Sequence, residues 1–135
     1  ISKGLVGSEM CIRDRFIASP ESSAHQNFKE FILNSKEGDT QLILKEITPV
    51  RMLKNDFYNQ LIEAYENGAS KEKLISILGR GRAKQGMFMG DLSEGELEIG
   101  QVSALIDTIK PAAKIVLEII EEFYLAKNKI LEMKF

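Results

Sequence analysis

Gly79-Arg80-Gly81-Arg82-Ala83-Lys84-Gln85-Gly86-Met87-Phe88, followed closely by Gly95-Glu96-Leu97-Glu98-Ile99-Gly100-Gln101-Val102, is the stretch on which the fold of this chain turns. Glycines at this density let backbone N–H groups approach an anion, which invites a phosphate-loop reading of the first run. Its spacing is neither G-x-x-x-x-G-K-[ST] nor G-x-G-x-x-G, and no clear strand precedes it, so a solvated or structural loop is the better reading. Arg80, Arg82 and Lys84 lack interleaved aromatic residues, a weak footprint for nucleic acid. In the second run, Gly100 opens an apolar segment. A missing side chain there permits close approach of a ligand, and the Gln101 amide can both donate and accept.

On either side of this stretch the apolar spacing is mostly helical. Phe28, Phe31 and Ile32 predict a helix over residues 24–35, with Ser19-Pro20-Glu21-Ser22-Ser23 offering caps. Asn55 caps a helix carrying Phe57, Leu61, Ile62 and Tyr65 and ending at Asn67-Gly68, and Ser70 caps another that stops at Gly79. Leu97, Ile99, Val102, Leu105 and Ile106 suggest a helix interrupted near its start by Gly100, and Met87 and Met89 around Phe88 read as core. The strongest helical signal begins at Ala112 and runs to about Leu131. Ala112, Ile115, Val116, Ile119, Ile120 and Phe123 form a wide apolar stripe opposite Lys114, Glu118, Glu121 and Glu122. Strand signals are weak: an alternation from Thr40 that Pro49 closes, and Phe16-Ile17-Ala18-Ser19, which reads as the end of a buried strand entering a loop. The predicted class is mainly α with one or two short strands, near 16–18 and 40–48.

The composition narrows the functional classes. The chain has 135 residues, 44% hydrophobic and 28% charged, with a net charge of −2 and a pI near 5.5. Such a balance fits at most one globular domain and offers no bulk attraction to nucleic acid or anionic lipid. Charges interrupt every apolar run, so no membrane-spanning helix is predicted, and a cytoplasmic location is expected. One cysteine, Cys11, cannot make an internal disulfide, and one histidine, His25, excludes a multi-histidine metal site. No metal is expected. His25 sits beside a helix start with no nucleophile implied near it, which favours a surface or capping role over general base. Glu121 and Glu122 are helix neighbours that do not face each other and form no acid–base pair.

The N-terminal run Gly4-Leu5-Val6-Gly7-Ser8-Glu9-Met10-Cys11-Ile12-Arg13-Asp14-Arg15 has no apolar period. It resembles the in-frame translation of a sequencing-library adapter. Residues 1–15 are therefore expected to be a disordered artefact, with Arg15 of mixed origin. Without them the chain loses Lys3, Arg13, Arg15, Glu9 and Asp14 among its charges, its net charge becomes −3, and no cysteine remains.

From Phe16 onward the order of segments resembles the C-terminal part of the nitronate monooxygenase family, which includes flavin-dependent enoyl-acyl carrier protein reductases. The matching pieces are Arg15-Phe16-Ile17-Ala18-Ser19 with Glu21-Ser22, Gly38-Asp39-Thr40, Pro49-Val50-Arg51-Met52-Leu53-Lys54-Asn55, the two glycine-rich runs quoted above, and Gly90-Asp91 between them. The resemblance implies the C-terminal fragment of an FMN-binding TIM barrel with a late helical insertion. Residues 16–23 would end a barrel strand and its loop, 24–90 would form the insertion over the active site, and 91–135 would return to the barrel. In the family a glycine-threonine pair of the flavin phosphate loop precedes the arginine-phenylalanine that corresponds to Arg15 and Phe16, and here Ile12-Arg13-Asp14 stand in its place. Arg15 and Phe16 would be the edge of that truncated loop, and Gly100 and Gln101 would face the flavin and substrate. The catalytic histidine lies upstream, and His25 does not match it.

The activity so implied is that of a parent protein acting on a small-molecule substrate. It is either oxidation of an alkyl nitronate with O2 to a carbonyl compound and nitrite, or reduction of an enoyl thioester by a nicotinamide cofactor through the flavin. The fragment alone is expected to be inactive and to self-associate through uncovered apolar surface. A free-standing helical interaction module is the alternative from a different class.

Overall fold

The computed structural model describes residues 8–133, with backbone alone at residues 8–11. The reading of residues 1–7 lies outside them. In chain order the elements are α1 (Ser8–Ile17), α2 (Gln26–Leu33), β1 (Thr40–Ile43), β2 (Val50–Leu53), α3 (Asp56–Glu66), α4 (Lys71–Leu78), a π-turn (Lys84–Phe88), a 3-10 turn (Gln101–Leu105) and α5 (Ala112–Glu132). The described chain is mainly helical with two short strands. The strands pair antiparallel, Thr40 with Leu53 and Ile43 with Val50.

Two segments differ from the sequence reading at the N-terminal end. Ser8–Arg15 is helical rather than disordered, and Phe16 and Ile17 close that helix rather than end a strand. A strand needs a neighbour to pair its N–H and C=O groups. A helix satisfies them within the segment, and Arg15 in the last turn complements its dipole. The second strand falls at Val50–Leu53, beyond Pro49. The first stops at Ile43 because Leu44 takes a left-handed φ of 58° that turns the chain.

Helix starts follow the sequence closely. The Asn55 side chain accepts from Tyr58 N, and Ser70 Oγ accepts from Lys73 N. His25 caps α2, its Nδ1 accepting from Asn27 N at 3.1 Å, so its capping role is structural fact. Helix α5 has no cap of its own, and Glu21 supplies one from 91 residues away by accepting from Ala112 N.

Two apolar clusters meet at β2. Met52 points into one with Ile43, Leu44, Phe57, Leu61 and Leu74; Leu53 points into the other with Phe28, Ile32, Leu97 and Ile99. The alternation of a strand produces this division, since successive side chains face opposite ways. Leu97–Ile99 is extended, not the helix start predicted. It lies along β2, with Leu53 N donating to Leu97 O and Ile99 N to Arg51 O. Phe88 and Met89 are exposed, so of the expected Met-Phe-Met core only Met87 packs inward. The α5 stripe is also turned outward: Ile115 alone is buried, while Val116, Ile120 and Phe123 face solvent.

Candidate functional site

The glycine-rich runs are joined to each other first. Gly86 packs backbone to backbone against Gly95, and a Cβ at Gly86 would stand 2.6 Å from the Glu96 carbonyl oxygen. Only a residue without Cβ fits either position, which explains both glycines without a ligand. Arg82 is likewise structural. Its guanidinium donates to the Glu94 carbonyl at 2.8 Å and to the Glu94 carboxylate at 3.0 Å, and lies 4.6 Å from the centre of the Phe57 ring. The expectation of a structural loop over Gly79–Gly86 holds at Arg82, while Arg80 and Lys84 are exposed.

Next, the loop end of α1 meets the second glycine-rich run. Gly100 N donates to Asp14 Oδ2 at 2.9 Å, a bond across 86 residues, and Asp14 is buried. A Cβ on Gly100 would collide with that carboxylate. Burial pushes the Asp14 carboxyl above its ordinary range, although the Gly100 N–H and the Arg13 charge pull the other way. Thus the structure places Arg15 and Phe16 within one or two residues of the group that touches Gly100.

The other predicted site residues are dispersed from that point. Arg15 makes a bidentate ion pair with Glu122, at 2.9 and 3.2 Å, and lines a cleft of about 230 Å³ with Val102, Ile106, Lys110 and Ile115. Phe16 contributes its carbonyl, which accepts from Ser19 Oγ at 2.8 Å. Gln101 is exposed and borders a different hollow, beside Glu37, Gly38 and Thr40. The Ser103 hydroxyl, two residues on, is fully buried with no hydrogen-bond partner among the described residues.

Sequence reasoning missed Glu96 and Glu98. In the extended Glu96-Leu97-Glu98-Ile99 segment, Leu97 and Ile99 are core, so the two carboxyls share the opposite side. Burial raises both. Glu96 reaches about 7, with the Glu98 charge adding to the effect of burial. The period-two alternation was the signal, hidden by the expectation of a helix. Among the described residues no group of three or more His, Cys, Asp or Glu could hold a metal ion, and no helix is long and apolar enough to cross a membrane.

Comparison with known proteins now bears on this arrangement. The nitronate monooxygenase family profile matches residues 3–122, which takes in both glycine-rich runs and the Asp14–Gly100 junction. The chain belongs to the nitronate monooxygenase family. In solved structures it is similar to FabK from Thermotoga maritima, at 31% identity with a TM-score of 0.73, over 87% of this chain and 37% of that one. The M276A mutant of the same FabK gives 30% identity and a TM-score of 0.69, over 87% and 34%. No curated protein sequence matches. The chain thus spans just over a third of the length of the solved relatives it resembles.

Membership of this family of flavin-dependent oxidoreductases confirms the resemblance drawn from the motifs. The residues present leave no free donor for a flavin at Gly100, because that N–H already serves the buried Asp14 carboxylate, which also fills the space a Cβ on Gly100 would occupy.

Proposed function

We propose that this chain corresponds to the C-terminal part of an FMN-dependent oxidoreductase, supplying the segment that approaches the cofactor through Gly100 and Gln101 with Arg15 and Phe16 at its edge. The observation that carries this is the family match over residues 3–122 together with the likeness to FabK over 87% of the chain; the hydrogen bond from Gly100 N to Asp14 sets the α1 end beside the second glycine-rich run. Residues 24–90 then form the insertion over the active site, and residues 91–135 the return to the barrel. Chemistry belongs to the longer parent. Its flavin moves the electrons, and the protein positions substrate and shields the ring. The family profile supports nitronate oxidation, in which O2 reoxidises the flavin and a carbonyl compound and nitrite result. The likeness to FabK favours a second reading, hydride transfer from a nicotinamide cofactor to an enoyl thioester.

Asp14 makes this chain by itself a poor flavin protein. Purified alone it should come out colourless, retain no FMN and leave both substrates unchanged. A parent extended upstream, with glycine-threonine in place of Arg13-Asp14, should purify yellow. Assay of that parent with propionate 3-nitronate and O2, against an enoyl thioester with NADH or NADPH, decides between the reactions. A yellow preparation of the present chain would overturn the proposal.

A further inference from the structure

The extended segment beside β2 ends with a donor turned away from the sheet. Ile99 N donates to Arg51 O, and successive N–H groups of an extended chain point to opposite edges, so Gly100 N faces outward. There it meets Asp14 Oδ2 at 2.9 Å. A Cβ on Gly100 would fall within that carboxylate, so the glycine opens a space that a carboxylate fills.

A simple tether between α1 and this run would need nothing more, yet Ser103 is left over. It lies in the 3-10 turn Gln101–Leu105, whose N-cap is Gly100, and Ser103 N donates to Gly100 O at 3.2 Å. With three residues per turn, Gly100 and Ser103 share a side, the side on which Gly100 meets Asp14. The Ser103 side chain is wholly buried there, and its hydroxyl has no partner among the described residues. A buried hydroxyl without a partner is destabilising. Beside a bound carboxylate it marks a second donor for an oxyanion, one that Asp14, held by its own backbone, does not reach. Arg13 adds a positive charge near the same group.

We propose that the Gly100 N–H and the Ser103 hydroxyl form a binding site for a small carboxylate, which the chain keeps closed with Asp14 as its own ligand. Removing that side chain opens the site to a carboxylate from solution, and formate, the group that Asp14→Ala deletes, is the probe. The inference stands apart from the oxidoreductase reading, since formate binding and flavin retention are separate outcomes.

Asp14→Ala should melt at a lower temperature than the original chain. Sodium formate at pH 7 should raise that temperature saturably while leaving the original chain, whose site is filled, unchanged. Formamide and sodium chloride at the same concentrations should not. In amide correlation spectra of Asp14→Ala, formate should move the Gly100 N–H proton downfield. Ser103→Ala should be at least as stable as the original chain, because it removes an unpaired hydroxyl, yet in the Asp14→Ala background it should weaken formate binding about tenfold. If Asp14→Ala is unfolded in buffer, saturating formate should restore its helical circular dichroism. The proposal fails if formate acts no better than formamide or chloride, or if the Gly100 resonance stays in place. It fails equally if Ser103→Ala destabilises the original chain or leaves formate affinity unaltered.

Discussion

Glu96 shows how a single carboxyl responds to its place in the fold. It is 7% exposed, and among the described residues no cation pairs with it. Its folded pKa of about 7 lies above the ordinary 4.5, so between these values the folded state holds a proton that the unfolded state has released. Raising the pH through this window withdraws stability, on the order of 1–3 kcal/mol, and the loss is complete above the folded pKa. Glu96→Gln should flatten this dependence and raise the melting temperature at pH 8 more than at pH 5. Urea titrations at the two values check it. Neighbouring Glu98 also has a raised pKa and adds to the slope, so Glu96→Gln should reduce the dependence without abolishing it. For this residue the sequence held a readable signal, alternation with Leu97 and Ile99. His25 was legible more simply, as a polar residue at a helix start.

At the scale of elements, Asn55 ties three segments. Its Oδ1 accepts from Tyr58 N at 3.0 Å as the cap of α3, and its Nδ2 donates to Leu92 O at 2.9 Å and Gly95 O at 2.8 Å. The cap was visible in the sequence. The two donations were not, because they reach residues 37 and 40 positions away. Asn55→Ala should cost about 2–3 kcal/mol in chemical denaturation, more than a cap alone. Asn55→Asp keeps an acceptor for the cap but loses both donors and sets a negative charge against two carbonyl oxygens. It should therefore fail to rescue, whereas aspartate would rescue a simple cap. Recovery of stability in the Asp variant would show that the bonds to the 92–95 loop contribute little.

Across the whole molecule, β2 is the joint. Met52 belongs to the cluster built on α3 and α4, Leu53 to the one built on α2 and the Leu97–Ile99 segment. One rigid strand with side chains on both faces couples the clusters, so they should unfold as one unit. Met52→Ala should cost about 2–5 kcal/mol and raise amide exchange at Ile32 and Leu97, in the far cluster, as much as at Leu61. Acceleration confined to Leu61 and its neighbours would show two independent units. The coupling also accounts for the failure to read Leu97–Ile99 as extended: its partner strand lies more than forty residues earlier, outside any local window.

By itself the sequence determined the helices of residues 26–33, 56–66, 71–78 and 112–132, their caps at Asn55 and Ser70, and membership of the family through the order of its glycine-rich runs. These depend on residues close together in the chain. Tertiary structure alone decided that Gly86 and Gly95 are crossing points, that Glu96 is a buried acid, that the α5 stripe faces outward and that Asp14 claims the Gly100 amide. Each of these is a contact or an exposure set by segments far apart in sequence, and no local pattern records which distant group will fill the space beside a given backbone N–H.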